Sequence, residues 1–139
     1  MNYQMNPYAP PGLAVPAPAG MKALSGIYVY ERTLSANEVV TGDVLSIYTD
    51  SDFFARGIVL SQNTGAFAFR YADESGYYTS NSLISSSALP TNASVPFPIV
   101  PQLRYSAGGR ILIDVTNLTA VSNTIQLLFI GTRNFVVPR

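Results

Sequence analysis

Apolar and polar residues alternate most regularly in residues 104–137. Over 110–115, Ile111, Ile113 and Val115 fall on one side and Arg110, Leu112 and Asp114 on the other. That period of two is what a half-buried strand requires. Residues 116–123 are rich in Thr, Asn and Ser and read as a connection. A second run follows over 125–130, with Ile125, Leu127 and Phe129 opposite Gln126, Leu128 and Ile130. Gly131 stops it, and residues 131–134 interrupt the strand before 135–137 finish it. The two runs predict an antiparallel ribbon in an all-β domain, and the rest of the chain is organised around it.

The same pattern recurs upstream. Ile27 and Val29 alternate with Tyr28 and Tyr30, and both faces of that strand are apolar or amphipathic. Residues 35–39 predict a short helical turn, with Ser35 as cap and Glu38 three residues on as its capping-box partner. A strand at 44–49 leads through Asp50, Ser51 and Asp52 into another at 53–60. Gly57 inside the latter predicts a bulge or a close backbone approach. Residues 61–65 (SQNTG) read as a hairpin-type turn. Phe67, Phe69 and Tyr71 then share one face of a strand at 66–72. They read as core rather than as a stacking platform. After a turn at 73–76 come short strand candidates at 77–79 and 82–86. Pro90, Pro96, Pro98 and Pro101 forbid a central strand in 87–102. That stretch reads as a long crossing loop with an edge strand, the connection that joins two sheets in a Greek-key sandwich. Gly108 and Gly109 form the turn before the ribbon.

Eight or so short strands with polar or Gly turns, and no long helical period, predict a single-domain all-β sandwich over residues 21–139. A jelly roll is favoured over an immunoglobulin-like fold, whose Cys and Trp pattern is missing. Residues 1–20, with Pro7, Pro10, Pro11, Pro16 and Pro18, predict an extended arm, partly polyproline-like. Two readings of it stand together. One is an unstructured terminus. The other is an arm that orders on a neighbouring subunit through Tyr3, Tyr8, Leu13 and Val15.

Composition narrows the function. Charged residues are 12% of the chain, about half of the ~25% typical of globular proteins, and the formal net charge is zero. Lys22 and seven arginines form no cluster, which argues against direct nucleic-acid binding. A surface so poor in charge suits an assembly that covers much of it, although Ser, Thr and Asn supply an alternative polar surface. No apolar run reaches the ~18 residues of a membrane span, and no secretory leader pattern opens the chain. The chain has neither His nor Cys. Disulfides, thiolate metal sites, histidine acid–base catalysis and the usual serine-hydrolase triad are therefore excluded. The eight carboxylates, among them Asp50, Asp52, Asp73 and Glu74, fall mostly in turns. They suggest neither a glycosidase pair nor an EF-hand, and no cofactor or metal is expected. Asn92 and Asn117 head glycosylation-type triplets of the kind expected by chance in so Asn-, Ser- and Thr-rich a chain.

Leu112, Leu128 and Ile130 lie opposite the core set of their strands. A ribbon with two apolar faces is covered on both. Its second cover is another subunit, the arm, or the Pro-rich 87–102 loop of the same chain. Residues 95–133 combine a Pro-punctuated apolar stretch (VPFPIVPQLRY), a Gly turn (SAGGR), a strand ending in Asn (ILIDVTNLT) and a strand ending in Gly-x-Arg (IQLLFIGTR). This succession resembles small jelly-roll structural proteins of tailed bacteriophages, of the minor capsid, cement or decoration kind. The resemblance covers about a third of the chain and rests on strands and turns. It implies a homo-oligomeric, non-enzymatic virion component assembled in the host cytoplasm, with the major capsid protein or other virion proteins as partners. Asn117 and Gly131 would be structural positions. The rival expectation is a carbohydrate- or receptor-binding sandwich, with Tyr28, Tyr30, Tyr48, Tyr77 and Tyr78 lining a surface.

Overall fold

The computed structural model describes residues 21–92 and 95–136. Eight strands occur among them: β1 (Met21–Leu34), β2 (Val39–Ser46), β3 (Ser51–Gln62), β4 (Phe67–Tyr71), β5 (Ile84–Ser85), β6 (Phe97–Tyr105), β7 (Arg110–Asn117) and β8 (Asn123–Val136). They form two four-stranded antiparallel sheets, a front sheet ordered β1-β8-β3-β6 and a back sheet ordered β2-β7-β4-β5. The first strand pairs with the last, β2 with β7, β3 with β6 and β4 with β5. The chain is thus a long hairpin, its tip at β4–β5, rolled so that its two halves face each other. That is the eight-stranded jelly roll. Only β4–β5 is a connection between neighbours in one sheet; every other connection crosses the core.

The expected ribbon is corrected by this topology. β7 and β8 are consecutive and antiparallel in direction, but they lie in opposite sheets and do not pair. Each is central in its own sheet, β7 between β2 and β4 and β8 between β1 and β3. Their inward sets, Ile111, Ile113 and Val115 and Ile125, Leu127 and Phe129, meet across the core and are fully buried. Each such side chain contributes about 1.5–3 kcal/mol of apolar burial. Phe67 and Phe69 fill the core beside them, with Tyr71 edge-on to Phe129 at 5.2 Å between ring centres. Tyr28 packs on Phe53 at 4.6 Å.

Several local expectations hold and several change. β3 carries the bulge expected at Gly57: its register with both β8 and β6 shifts between Ala55 and Gly57. The Pro-rich stretch does yield an edge strand, β6, holding Pro98 and Pro101. Residues 61–65 form no hairpin; they carry the chain from the front sheet to the back. β8 is unbroken from Asn123 to Val136. Gly131 is required for a different reason: any Cβ there would overlap the Phe54 carbonyl group of β3. Residues 77–79 make only an isolated bridge, Ala72 to Tyr78. No helical turn forms at 35–39. The Ser35 amide does donate to Glu38 Oε1 at 2.8 Å, but Asn37 takes a left-handed φ of 54°. The next groups are already bound to the β7 end, Asn37 N–H to Thr119 O at 3.0 Å and Asn117 N–H to Glu38 O at 2.9 Å. Sheet closure outcompetes a helix too short to sustain itself.

Candidate functional site

The outward residues of the front sheet form a contiguous apolar stripe. The register sets Ile27 beside Ile130, Ile130 beside Gly57, and Gly57 beside Pro98. One step along, it sets Val29 beside Leu128 and Leu128 beside Val59. Ile27 is 59% exposed and Val29 46%; Leu128 and Ile130 are half-buried. Val59 is covered, and Pro96 packs over Gly57. Pro96, of the Pro-rich stretch, thus covers the β3 side of the stripe, while Ile27 and Val29 on the β1 side stay exposed among the described residues. Polar pairs bound it, Glu31 with Gln126 at 2.6 Å on one flank and Arg104 with Asp52 at 3.0 Å on the other. Both sides of these strands must be apolar in sequence, and β1, β8 and β3 are.

Of the residues expected at an interface, Leu128 and Ile130 share this face. Leu112 does not. It lies on the outer side of the back sheet, half-buried beside Val44 and near Gly76 of the 73–76 turn. One patch of all three is impossible, because the sandwich separates them. Tyr3, Tyr8, Leu13 and Val15 lie outside the described residues.

The second feature is an apolar cleft of about 500 Å³ at the open side of the sandwich. It lies between β6, the edge of the front sheet, and the segment around β5, the edge of the back sheet. Phe69, Tyr71, Ile84, Phe97, Val100 and Pro101 are among its walls, with Thr79 and Ser80 as its polar members. The cleft exists because β5 is two residues long and cannot close against β6. The opposite side is closed by polar bonds between sheets: Tyr30 OH and Arg32 both donate to Asp43 Oδ2 at 2.7 Å. The Tyr30 hydroxyl foremost, with the Val44 amide and Arg32, holds the Asp43 carboxyl below its usual range against the opposing effect of burial. Burial, then Asp43, pushes the Tyr30 phenol up.

The other carboxylates are engaged structurally. Asp114, on the outer side of the back sheet, is 5% exposed. It accepts from Gly42 N–H at 2.7 Å, Arg70 Nε at 2.7 Å and Tyr78 OH at 2.9 Å. Arg70 also stacks on the Tyr78 ring at 4.0 Å. Asp50 pairs with Arg133 and Asp52 with Arg104. Asp73 caps its own turn by accepting from the Ser75 and Tyr77 amides, and Glu74 accepts from Ser106 N–H. Among the described residues no three acidic side chains converge as metal ligands do. The expected tyrosine surface is divided: Tyr28 and Tyr30 are core, Tyr48 is exposed but packs on Tyr28 with ring centres 5.5 Å apart, Tyr78 lies with Asp114, and Tyr77 is exposed.

Sequence reasoning found half of the front-sheet stripe, since Leu128 and Ile130 stand opposite an evident core set. It missed Ile27, Val29 and Val59 as their neighbours, although the apolar second face of residues 27–30 was a usable signal. In comparisons with known proteins, no family model matches this chain, no curated protein matches it significantly, and no solved structure does.

Proposed function

We propose that this protein is a non-enzymatic structural component that assembles through the outer face of its front sheet, stabilising or decorating the capsid or head–tail region of a tailed-phage virion. The observation that carries the assembly reading is the apolar stripe of Ile27, Val29, Leu128 and Ile130, which the described residues leave partly or largely exposed on a chain with few charges. Exposed contiguous apolar surface of this kind is characteristic of protein interfaces. The jelly roll supports the virion assignment by analogy of fold, since it recurs in capsid and lectin domains. The strand-and-turn succession of residues 95–133 supports it by resemblance.

The experiment is a mass measurement of the purified chain, with and without residues 1–20, followed by co-sedimentation with isolated capsids and tails. The reading expects an oligomer of the 15.0 kDa chain and retention on one of the virion parts. A strict monomer that binds none of them overturns it. The carbohydrate-binding alternative has lost its continuous tyrosine surface, and no other observation favours it.

A further inference from the structure

The cleft between β6 and β5 is a sizeable apolar concavity among the described residues, and its chemistry selects what enters it. Among the described residues no charged side chain lines it, so these walls offer an ionic ligand no counter-charge. Its volume of about 500 Å³ falls within the ~300–1,000 Å³ of ligand-binding sites. It is open along two strand edges, which suits an extended chain better than a compact molecule. β6 is also a poor template for an added strand. Pro98 and Pro101 lack the N–H that a ladder needs. An occupant suited to this edge brings few donors of its own, is apolar, and is already extended. Grooves walled by aromatic rings and prolines recognise polyproline II segments on these terms.

One stretch of this chain has that composition. Residues 7–18, PYAPPGLAVPAP, contain five prolines and no charge. We propose that this segment of a neighbouring copy occupies the cleft, so that each subunit gives an arm and receives one. The topology favours a neighbour over the same chain. Met21 opens β1 at the edge of the front sheet farthest from β6, three inter-strand spacings, or about 14 Å, away. An arm entering its own cleft has to turn back across the whole sheet. An arm leading away from the β1 edge leaves its subunit. Such exchange is satisfied by two copies that trade arms about a two-fold axis, or by copies that pass them head-to-tail around a closed ring. This inference deepens the assembly reading above and rests on it.

The absence of cysteine makes disulfide trapping unambiguous. Val100 lines the cleft and is 85% exposed, so Val100→Cys leaves the fold intact, which a urea melt verifies. Leu13→Cys and Ala17→Cys are placed in the arm. Mixing an arm variant with Val100→Cys under mild oxidation is expected to give a two-chain adduct. It should form at least about tenfold faster than adducts with Tyr77→Cys, an exposed control, because docking raises the effective thiol concentration to the millimolar range. No preference over Tyr77→Cys overturns the proposal. So does a double variant, Leu13→Cys with Val100→Cys, that closes within one chain, since that places the arm in its own cleft. Mass measurement of the same samples separates the two readings. An oligomer without the cross-link refutes arm exchange and leaves sheet-face assembly standing; a monomer refutes both.

Discussion

Replacing Asp114 with Asn tests how the outer side of the back sheet is held together. The carboxylate joins three elements: β2 through Gly42, which sits at a left-handed φ of 67° beside the Val40–Asp43 register shift, β4 through Arg70, and the 72–78 segment through Tyr78. Asparagine keeps the volume but removes the charge, and it turns an NH₂ toward a partner that is itself a donor. Hydrogen bonds to a charged group are worth about 1.5–3 kcal/mol each. The Arg70 side chain is 30% exposed and can turn toward water, which lowers its share. We therefore expect a loss of about 2–3 kcal/mol at pH 7 in urea unfolding, with the m-value unchanged. The pH dependence has a definite sign. Burial works to raise the Asp114 carboxyl, but the Gly42 amide, Arg70 and Tyr78 outweigh it and hold the group below its ordinary value. A depressed folded-state pKa contributes stability that is full above the unfolded value, ~3.9, and is lost as pH falls through the folded one. The gap between wild type and Asp114→Asn should thus be constant from pH 7 to about 5 and close at lower pH. A gap under about 0.5 kcal/mol at pH 7, or one that persists unchanged to pH 2, refutes this account.

Other substitutions probe separate parts of the structure. Gly131→Ala forces a Cβ into the Phe54 carbonyl between two paired central strands; the expected cost is about 3 kcal/mol or more, and a melt within about 1 kcal/mol of wild type contradicts the close approach. Tyr30→Phe removes the largest influence depressing the Asp43 carboxyl, so a ¹³C-detected titration should show that group moving upward; an unmoved titration contradicts the bond. Leu112→Asp should lower the urea midpoint, because Leu112 is half-buried on the outer back sheet, while leaving the solution mass unchanged. A loss of assembly with unchanged stability would restore Leu112 to the interface.

What was legible in the sequence follows from which residues answer to one neighbour and which to several. Ile111, Ile113 and Val115 alternate because β7 is central and one face is core, so the strand announces itself. Which strand lies beside it depends on pairings far apart along the chain, such as Met21 with Val136, and no local pattern encodes these. That is why two adjacent, well-formed strands read as a ribbon when they belong to opposite sheets. Gly57 and Gly131 were visible as irregular positions; only the bulge of β3 against β8 shows that one is the slip and the other the clearance it needs. The Ser35–Glu38 bond was readable because it spans three residues, whereas the left-handed Asn37 that makes the segment a turn was not. Leu128 and Ile130 stood out as a second apolar set. The stripe that they join needed β1 and β3 on either side, and the cleft arises from two edges failing to meet.

The most direct test of assembly through the front sheet is the solution mass of Leu128→Asp beside wild type, measured by sedimentation with urea midpoints on the same samples. Leu128 is half-buried between Val29 and Val59, so a charge there faces the proposed partner more than the core. The account predicts a wild-type oligomer, a variant of 15.0 kDa, and a urea midpoint lowered no further than that of Leu112→Asp, which keeps its mass. A wild type that is itself 15.0 kDa, or a Leu128→Asp protein that keeps its oligomer, contradicts it.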